Sequence, residues 1–125
     1  MKTKASFILI FSLILVLSCK KVTVPTVYTD EAYSVTDSAA ITGGAVSRDG
    51  GAEVALAGVV YSKTPHPDVT SKLYTIDMHD LGEFESKLMN LTPSTTYYVR
   101  AYATNSHGTG YGEEISFTTL PPDKK

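Results

Sequence analysis

The chain has 125 residues, which is enough for one domain with a single hydrophobic core. Hydrophobic residues make up 42% of the chain and charged residues 19%, a balance typical of a folded globular protein. The formal charge is −2, and the 11 basic residues are spread along the chain instead of forming one stripe. The composition therefore argues against nucleic acid as a partner.

The N-terminal segment has the pattern of an export signal. Lys2 and Lys4 precede an apolar run of 11 residues, Phe7 to Leu17, which only Ser12 interrupts. That run is too short for a membrane-spanning helix, which needs ~20 residues. A basic start followed by a short apolar stretch is typical of a secretory signal, so this segment is left out of the fold.

The apolar run ends in the residues V-L-S-C, and Cys19 is the only cysteine of the chain. This ending resembles the lipobox of bacterial lipoproteins. The resemblance implies transfer of a diacylglyceryl group to the thiol of Cys19, cleavage after Ser18, and usually acylation of the new N-terminus. The lipid then makes a membrane the partner of the protein. The alternative is an ordinary signal peptide with an incidental cysteine, but a lone exported thiol would then have no pairing partner.

The two residues after the cysteine bear on location. Some Gram-negative lipoproteins that reach the cell surface carry an acidic cluster at this place, whereas this chain has Lys20 and Lys21. We therefore expect lipid anchoring to the outer membrane, with the periplasmic face favoured over the cell surface.

Two strands and a turn are predicted in the first half of the mature chain. A first strand is expected within Val22–Tyr28 and a second over Ala39–Val46. Glycine inside a strand often marks a place where a bulky group lies against the backbone, and we expect the ring of Tyr61 to lie over Gly44. The run Arg48–Gly51 ends in two glycines, which supply the positive φ angles of a turn.

The middle of the chain contains a nearly continuous apolar run, Val54–Ser62, predicted as a strand whose inward face the pattern alone does not decide. Two prolines make Lys63–Val69 a loop. The apolar residues of Leu73–Ile76 predict a short additional strand, and Phe84–Met89 alternates weakly as the next one.

The strongest strand signal follows the turn formers after Leu91. Alternation divides the strand into an inward set, Tyr97, Val99, Ala101 and Ala103, and an outward set, Tyr98, Arg100, Tyr102 and Thr104. A last strand is expected over Tyr111–Thr119, where Ile115 and Phe117 face inward, and two prolines end it.

The spacing L-x-P-x-T-x-Y-x-V-x-A-x-A, which begins at Leu91, resembles the corner before the sixth strand of fibronectin type III domains. The run from Gly58 to Tyr61 resembles the G-V-x-Y core of bacterial members. The resemblance implies an all-β, seven-stranded antiparallel immunoglobulin-like sandwich. It also makes Tyr97 the corner tyrosine, whose hydroxyl bonds to the chain a few residues upstream.

These observations divide the chain into four parts. We expect a lipoprotein signal peptide over 1–18, a lipidated tether over 19–24, a fibronectin type III-like domain over 25–120, and a flexible tail over 121–125.

Residues with catalytic or metal-binding chemistry are few. The three histidines fall in different loops, without metal-ligand spacing: His66, His79 and His107. The run Asp77–Asp80 is more typical of a polar turn than of a cation site. Glu83 and Glu85 share a strand face, but no insertion builds a pocket around them. We therefore expect that the protein is not an enzyme and that it has no catalytic residues, no metal and no cofactor.

The candidate binding face is the outward row of the long strand, Tyr98, Arg100 and Tyr102, spaced at intervals of roughly 7 Å. Tyrosine and arginine are enriched at binding hot spots. We expect the neighbouring strands to add Val60, Ser62, Glu114 and Ser116 to the same surface. The alternative is that the row stabilises the sheet by cross-strand pairs, with Arg100 paired to Glu114.

Three functions are open on this basis. The first is a lipid-anchored, non-catalytic interaction or structural module of the bacterial envelope, whose partner is an envelope protein. The second is a carbohydrate-binding accessory lipoprotein that stacks a glycan on the tyrosine row. The third, a hydrolase, needs a cleft that so short a chain cannot easily build.

One modification site is also expected. Asp37-Ser38-Ala39 matches an O-glycosylation acceptor motif of one Gram-negative lineage whose secreted proteins contain such modules. Ser38 is therefore a candidate O-glycosylation site. The alternative is a turn in which Asp37 accepts hydrogen bonds from nearby backbone N–H groups.

Overall fold

A computed structural model describes residues 21–123 of the chain. The signal peptide over 1–18 and the lipidation of Cys19 lie outside these residues and stay predictions. Seven strands are present within the described part: β1 Thr26–Thr29, β2 Ala40–Arg48, β3 Leu56–Ser62, β4 Gly82–Leu88, β5 Thr96–Asn105, β6 Gly108–Tyr111 and β7 Ile115–Thr118. Between residues 21 and 123 there is no helix with the length and apolar character to cross a membrane.

The strands form two antiparallel sheets. One has the order β1-β2-β4, and the other has β3-β5-β6, with β7 also paired to β5. The predicted seven-stranded antiparallel sandwich is therefore confirmed. The alternating inward residues of both sheets form its core, which includes Val46, Val59, Leu88 and Val99.

Two of the expected strands differ in detail. Residues 73–78 make only isolated bridges to β3, so the predicted strand there is not a regular one. The reason is local: the Thr75 hydroxyl oxygen, instead of a backbone carbonyl, accepts the Val59 N–H at 2.9 Å, which interrupts the ladder. The last strand is divided into β6 and β7 by Gly112–Glu114.

Gly44 makes room for an aromatic ring, but the prediction that this ring belongs to Tyr61 is wrong. A Cβ at Gly44 would lie 3.2 Å from Cζ of Phe84 and 2.2 Å from the Tyr28 carbonyl oxygen. Phe84 is the residue opposite Gly44 in the β2–β4 pairing. Tyr61 lies in the other sheet and packs beside Tyr97, with ring centroids 6.4 Å apart.

Tyr97 joins the start of β5 to the connection that precedes it. The buried Tyr97 hydroxyl accepts a hydrogen bond from the Thr92 N–H at 2.9 Å. Its ring stacks on Phe117 with centroids 5.8 Å apart. This is the geometry of a tyrosine corner, and it fixes where β5 begins.

Replacement of Tyr97 by phenylalanine tests this arrangement. Tyr97→Phe keeps the ring but removes the acceptor of the Thr92 N–H, so the free energy of unfolding should fall by ~1 kcal/mol. Denaturant unfolding measures the change. Tyr98→Phe, on the opposite face of the same strand, is the matched control and should have little effect. An equal loss in both variants would contradict the role given to the Tyr97 hydroxyl.

Candidate functional site

The predicted row of Tyr98, Arg100 and Tyr102 lies along the outward face of β5, but it is not an exposed surface. Tyr102 is only 2% exposed, so the prediction that it faces solvent is wrong. Tyr98 and Arg100 are half-buried, and Val60, expected on the same surface, is fully buried. The cause is the segment 63–78, here called the covering segment, which crosses this face of the sheet.

Tyr102 is held under the covering segment by Thr75. The Tyr102 hydroxyl donates a hydrogen bond to the Thr75 carbonyl oxygen at 2.7 Å. Opposite Tyr102 on β3 lies Gly58, where a Cβ would come within 2.2 Å of the same oxygen. Glycine therefore permits this close approach, and burial raises the pKa of Tyr102 to about 12.

Arg100 is engaged by a second contact with the covering segment. Its guanidinium carbon lies 4.1 Å from the ring centroid of Tyr111, a cation–π arrangement, and Nη1 donates to the Pro67 carbonyl oxygen at 3.2 Å. The Tyr111 hydroxyl in turn accepts the Val69 N–H at 3.0 Å. Arg100 thus fastens the covering segment to the sheet.

The expected pairing of Arg100 with Glu114 is not formed. Glu114 Oε1 instead accepts the backbone N–H of His66 at 2.5 Å and lies 3.6 Å from His66 Nδ1. Glu114 therefore holds the start of the covering segment in place, near Pro65 and Pro67.

A patch of exposed apolar side chains lies on the covering segment itself. We call it the edge patch, and it consists of Val69, Leu73, Tyr74 and Ile76. Tyr74 is 54% exposed and Ile76 is 52% exposed, which is unusual for residues beside a buried sheet face. Three of the four also line a groove of about 340 Å³; its lining residues are Leu56, Val60, Val69, Tyr74, Ile76, Tyr102, Thr104 and Thr109.

The backbone of the edge patch is open on one side. Leu73 accepts the Tyr61 N–H at 3.1 Å, and Thr75 donates to the Val59 carbonyl oxygen at 2.8 Å. Alternate residues of an antiparallel strand direct their N–H and C=O groups to opposite sides, so those of Tyr74 point away from β3. Among residues 21–123, neither the Tyr74 nor the Ile76 backbone is hydrogen-bonded.

Hydrogen bonds between side chains fix this edge to the other sheet. Asp77 Oδ2 accepts hydrogen bonds from the Thr75 hydroxyl at 2.6 Å and from the Ser86 hydroxyl at 2.5 Å. Ser86 belongs to β4 and is fully buried. The edge is therefore held in place while its apolar side chains stay exposed.

Comparison with solved structures addresses the fold. The sixth fibronectin type III domain of human fibronectin type III domain containing protein 3 matches with a TM-score of 0.61 and 18% identity over 86% of this chain and 96% of that one. This chain has a fibronectin type III-like fold. No protein-family model matches it, and no curated protein matches its sequence.

Two further structures share this sandwich. The sensor domain of the anti-sigma factor RsgI4 of Pseudobacteroides cellulosolvens has a TM-score of 0.58 and 18% identity, covering 82% of this chain and 100% of that one. A fibronectin type III domain of the human KIAA0970 protein has a TM-score of 0.56 and 16% identity, covering 80% and 77%. At these identities the likeness concerns the fold alone.

The other residues with candidate chemistry stay apart in this fibronectin type III-like domain. His79 Nδ1 lies 2.8 Å from the Ala55 carbonyl oxygen, and Glu85 accepts the Tyr33 hydroxyl at 2.6 Å. Within residues 21–123, no group of three or more His, Cys, Asp or Glu side chains is arranged to hold a metal ion.

Ser38 lies on an exposed turn before β2. The Thr36 hydroxyl oxygen, and not Asp37, accepts the Ser38 and Ala39 N–H groups, at 3.2 Å and 2.9 Å. Asp37 Oδ2 instead accepts the backbone N–H of Asp123 at 3.2 Å, so its acceptor role is to the C-terminal segment and not to its neighbours in the turn. O-glycosylation of Ser38 stays a prediction.

The buried hydroxyl of Tyr102 predicts a pH-dependent contribution to stability. Because its folded pKa is about 12, above the ordinary 10.0, that contribution is complete below pH 10 and is lost as the pH rises through about 12. Tyr102→Phe should cost ~1 kcal/mol at neutral pH. The difference between the wild type and the variant should shrink above pH 10, as measured by denaturant unfolding.

Tyr74→Phe is the control for this measurement, since the Tyr74 ring is exposed. It should leave the free energy of unfolding and its pH dependence nearly unchanged. A Tyr102→Phe effect that stays constant from pH 8 to pH 12 would contradict the assignment.

Proposed function

We propose that this chain is a lipid-anchored, non-catalytic protein-binding module of the bacterial cell envelope. The observation that carries the binding role is the open backbone edge at Tyr74 and Ile76, with exposed apolar side chains and an adjoining groove. Exposed apolar groups next to unpaired strand hydrogen-bonding groups are the features by which a sheet accepts an additional strand.

The chemistry of the edge favours an extended peptide segment as ligand. Its backbone would pair with the free N–H and C=O groups of Tyr74, and alternate side chains would enter the groove. The polar groups of the groove are already satisfied, because the Tyr102 hydroxyl bonds to Thr75 and the Thr104 and Thr109 hydroxyls lie 2.8 Å apart. An apolar side chain therefore fits the groove better than a sugar, whose hydroxyls would lose water without replacement.

The glycan alternative depended on the tyrosine row of β5. A sugar-stacking platform needs accessible ring faces, whereas Tyr102 is buried and Arg100 is held against Tyr111.

For the hydrolase alternative, Glu83 and Glu85 do line a shallow pocket of about 330 Å³ together with Asp30, contrary to the expectation that no pocket surrounds them. Both carboxylates are nevertheless exposed on β4, and Glu85 already accepts the Tyr33 hydroxyl, so the pocket does not shield them from water. Both alternatives are therefore less well supported than protein binding.

The cellular setting follows from the N-terminal motif. Acylation at Cys19 would hold the domain at the outer membrane, and the lysines after it favour the periplasmic face. Several acyl chains on one cysteine give stable anchoring, because each buried CH₂ contributes ~0.8 kcal/mol.

Site-directed photo-crosslinking in the native host tests the binding edge. With a benzoylphenylalanine in place of Ile76, we expect ultraviolet light to give one dominant product with an envelope protein. The same residue in place of Tyr28, which is 52% exposed on the other sheet, is the matched control and should give none. A product of twice the mass of the chain would instead indicate a second copy on the edge, and equal products at both positions would contradict the proposal.

A pair of substitutions at Tyr74 isolates the backbone contribution to this crosslink. Tyr74→Ala removes the side chain but keeps the outward N–H, whereas Tyr74→Pro removes both. The crosslink at position 76 should therefore be weaker in Tyr74→Pro than in Tyr74→Ala. Equal yields from two equally stable variants would argue against strand addition.

The anchor is tested by Cys19→Ala. The wild-type protein should sediment with membranes and resist a high-salt wash, while the variant should move to the soluble fraction, since it cannot be acylated. Unchanged membrane association of Cys19→Ala would contradict lipid anchoring.

A further inference from the structure

One pole of the sandwich is fastened together by a buried asparagine. Asn105 is 5% exposed, and its Nδ2 donates to the carbonyl oxygens of Thr23 at 2.7 Å and Asp49 at 2.8 Å. Its Oδ1 accepts the His107 N–H at 2.8 Å and the Gly108 N–H at 3.2 Å. Asn105 thus joins the N-terminal chain to the β2–β3 and β5–β6 connections.

The chain is fixed to the sandwich from Thr23 onward. The Thr23 N–H donates to the Gly50 carbonyl oxygen at 2.8 Å, so both backbone groups of Thr23 are bonded. Gly50 has a φ of 77°, and a Cβ there would lie 2.1 Å from the Thr23 oxygen. The turn can therefore hold the N-terminal chain this closely only because it carries glycine.

The link between Cys19 and this fixed point is very short. Four residue steps separate Cys19 from Thr23, and at ~3.3–3.6 Å per residue they span at most about 14 Å. The ten residues of β5 run the length of the sandwich, which is about 33 Å at a strand's rise per residue. A link of that length cannot reach around the domain to let the opposite pole approach the point of attachment.

We propose that the pole built around Asn105 rests on the lipid headgroups of the membrane, and that the domain stands on it with one orientation. We call this the Asn105 pole and define it by residues 48–55 and 105–108 together with Thr23. The proposal rests on the proposed acylation of Cys19, which fixes where the short link meets the bilayer.

The side chains of the Asn105 pole suit a headgroup surface. Apart from Gly51 and Ala55, its exposed residues are polar or charged and of both signs: Thr23, Arg48, Asp49, Glu53, Ser106 and His107. A polar surface of this kind lies among the lipid headgroups. Insertion into the hydrocarbon core of the bilayer would require an apolar surface. The edge patch lies on the side of the sandwich, so it stays accessible in this orientation.

Two serine-to-cysteine variants of the full chain test the orientation. Ser106→Cys labels the Asn105 pole and Ser38→Cys labels the opposite pole, and both positions are exposed. Each acylated variant is purified, labelled with a donor dye through the new thiol, and placed in vesicles of phosphatidylethanolamine and phosphatidylglycerol that contain a headgroup-labelled acceptor lipid. Energy transfer should be several-fold higher from position 106 than from position 38.

The outcomes separate the orientation from the anchor. The thioether bond to diacylglycerol blocks the thiol of Cys19, so a wild-type protein that takes up dye and stays in solution would overturn the proposed anchor. Vesicle-bound variants that transfer energy equally from both positions would overturn the orientation while the anchor stands.

A longer link supplies the matched control. A flexible insertion of ~20 glycine and serine residues between Lys21 and Val22 adds a mean reach of about 25 Å. In the protein with the longer link, the difference in energy transfer between positions 106 and 38 should decrease strongly. If the difference in energy transfer persists unchanged, the Asn105 pole binds lipid by itself. The short link then does not set the orientation, and the argument from link length is overturned.

Discussion

The close approach of the Thr75 backbone to Gly58 determines what this sandwich presents to its surroundings. A side chain at position 58 would collide with the Thr75 carbonyl oxygen, and that oxygen is the acceptor for the Tyr102 hydroxyl. The absence of one Cβ therefore lets the covering segment pack onto the outward face of β3 and β5. As a result, the face that alternation assigns to solvent is partly interior, and the exposed apolar surface moves to the covering segment.

Arg100 shows how the same segment is stabilised by a charged residue at the centre of a sheet. A guanidinium on a central strand must either reach solvent or find partners that replace its water. Here the Tyr111 ring and the Pro67 carbonyl oxygen supply them. Burial also explains why the pKa of Tyr102 is raised, since an ionised hydroxyl would lose both its solvation and its bond to Thr75.

Most of the fold was predictable from local patterns. Alternation after Leu91 placed the inward residues of β5. The resemblance of the spacing there to fibronectin type III domains identified Tyr97, whose hydrogen bond to Thr92 joins residues only five apart. The ring over Gly44 was not predictable in this way, because it depends on the register between β2 and β4, which no single strand encodes.

The burial of Tyr102 could not be read from the sequence for a related reason. Pro65 and Pro67 predicted a loop, but its direction depends on contacts 27 or more residues apart in sequence, such as Tyr102 with Thr75 and Arg100 with Pro67. One signal was present: Tyr74 and Ile76 alternate with the polar residues Thr75 and Asp77. The inward side of that alternation is the polar one, where Thr75 and Asp77 bond to buried Ser86, so the apolar residues face out.

An exposed apolar sheet edge is a liability, and proteins commonly protect such edges with lysine, proline or a bulge. The irregularity at Thr75 limits how many residues could pair there, which favours a short peptide segment over extended self-assembly.

β3 runs away from the Asn105 pole, from Leu56 to Ser62, so the edge beside it lies along the long axis of the sandwich. If that pole rests on the membrane, the edge stands along the membrane normal. A partner strand added there must then also run along the normal, so a segment projecting from the bilayer fits the edge better than one lying flat on it.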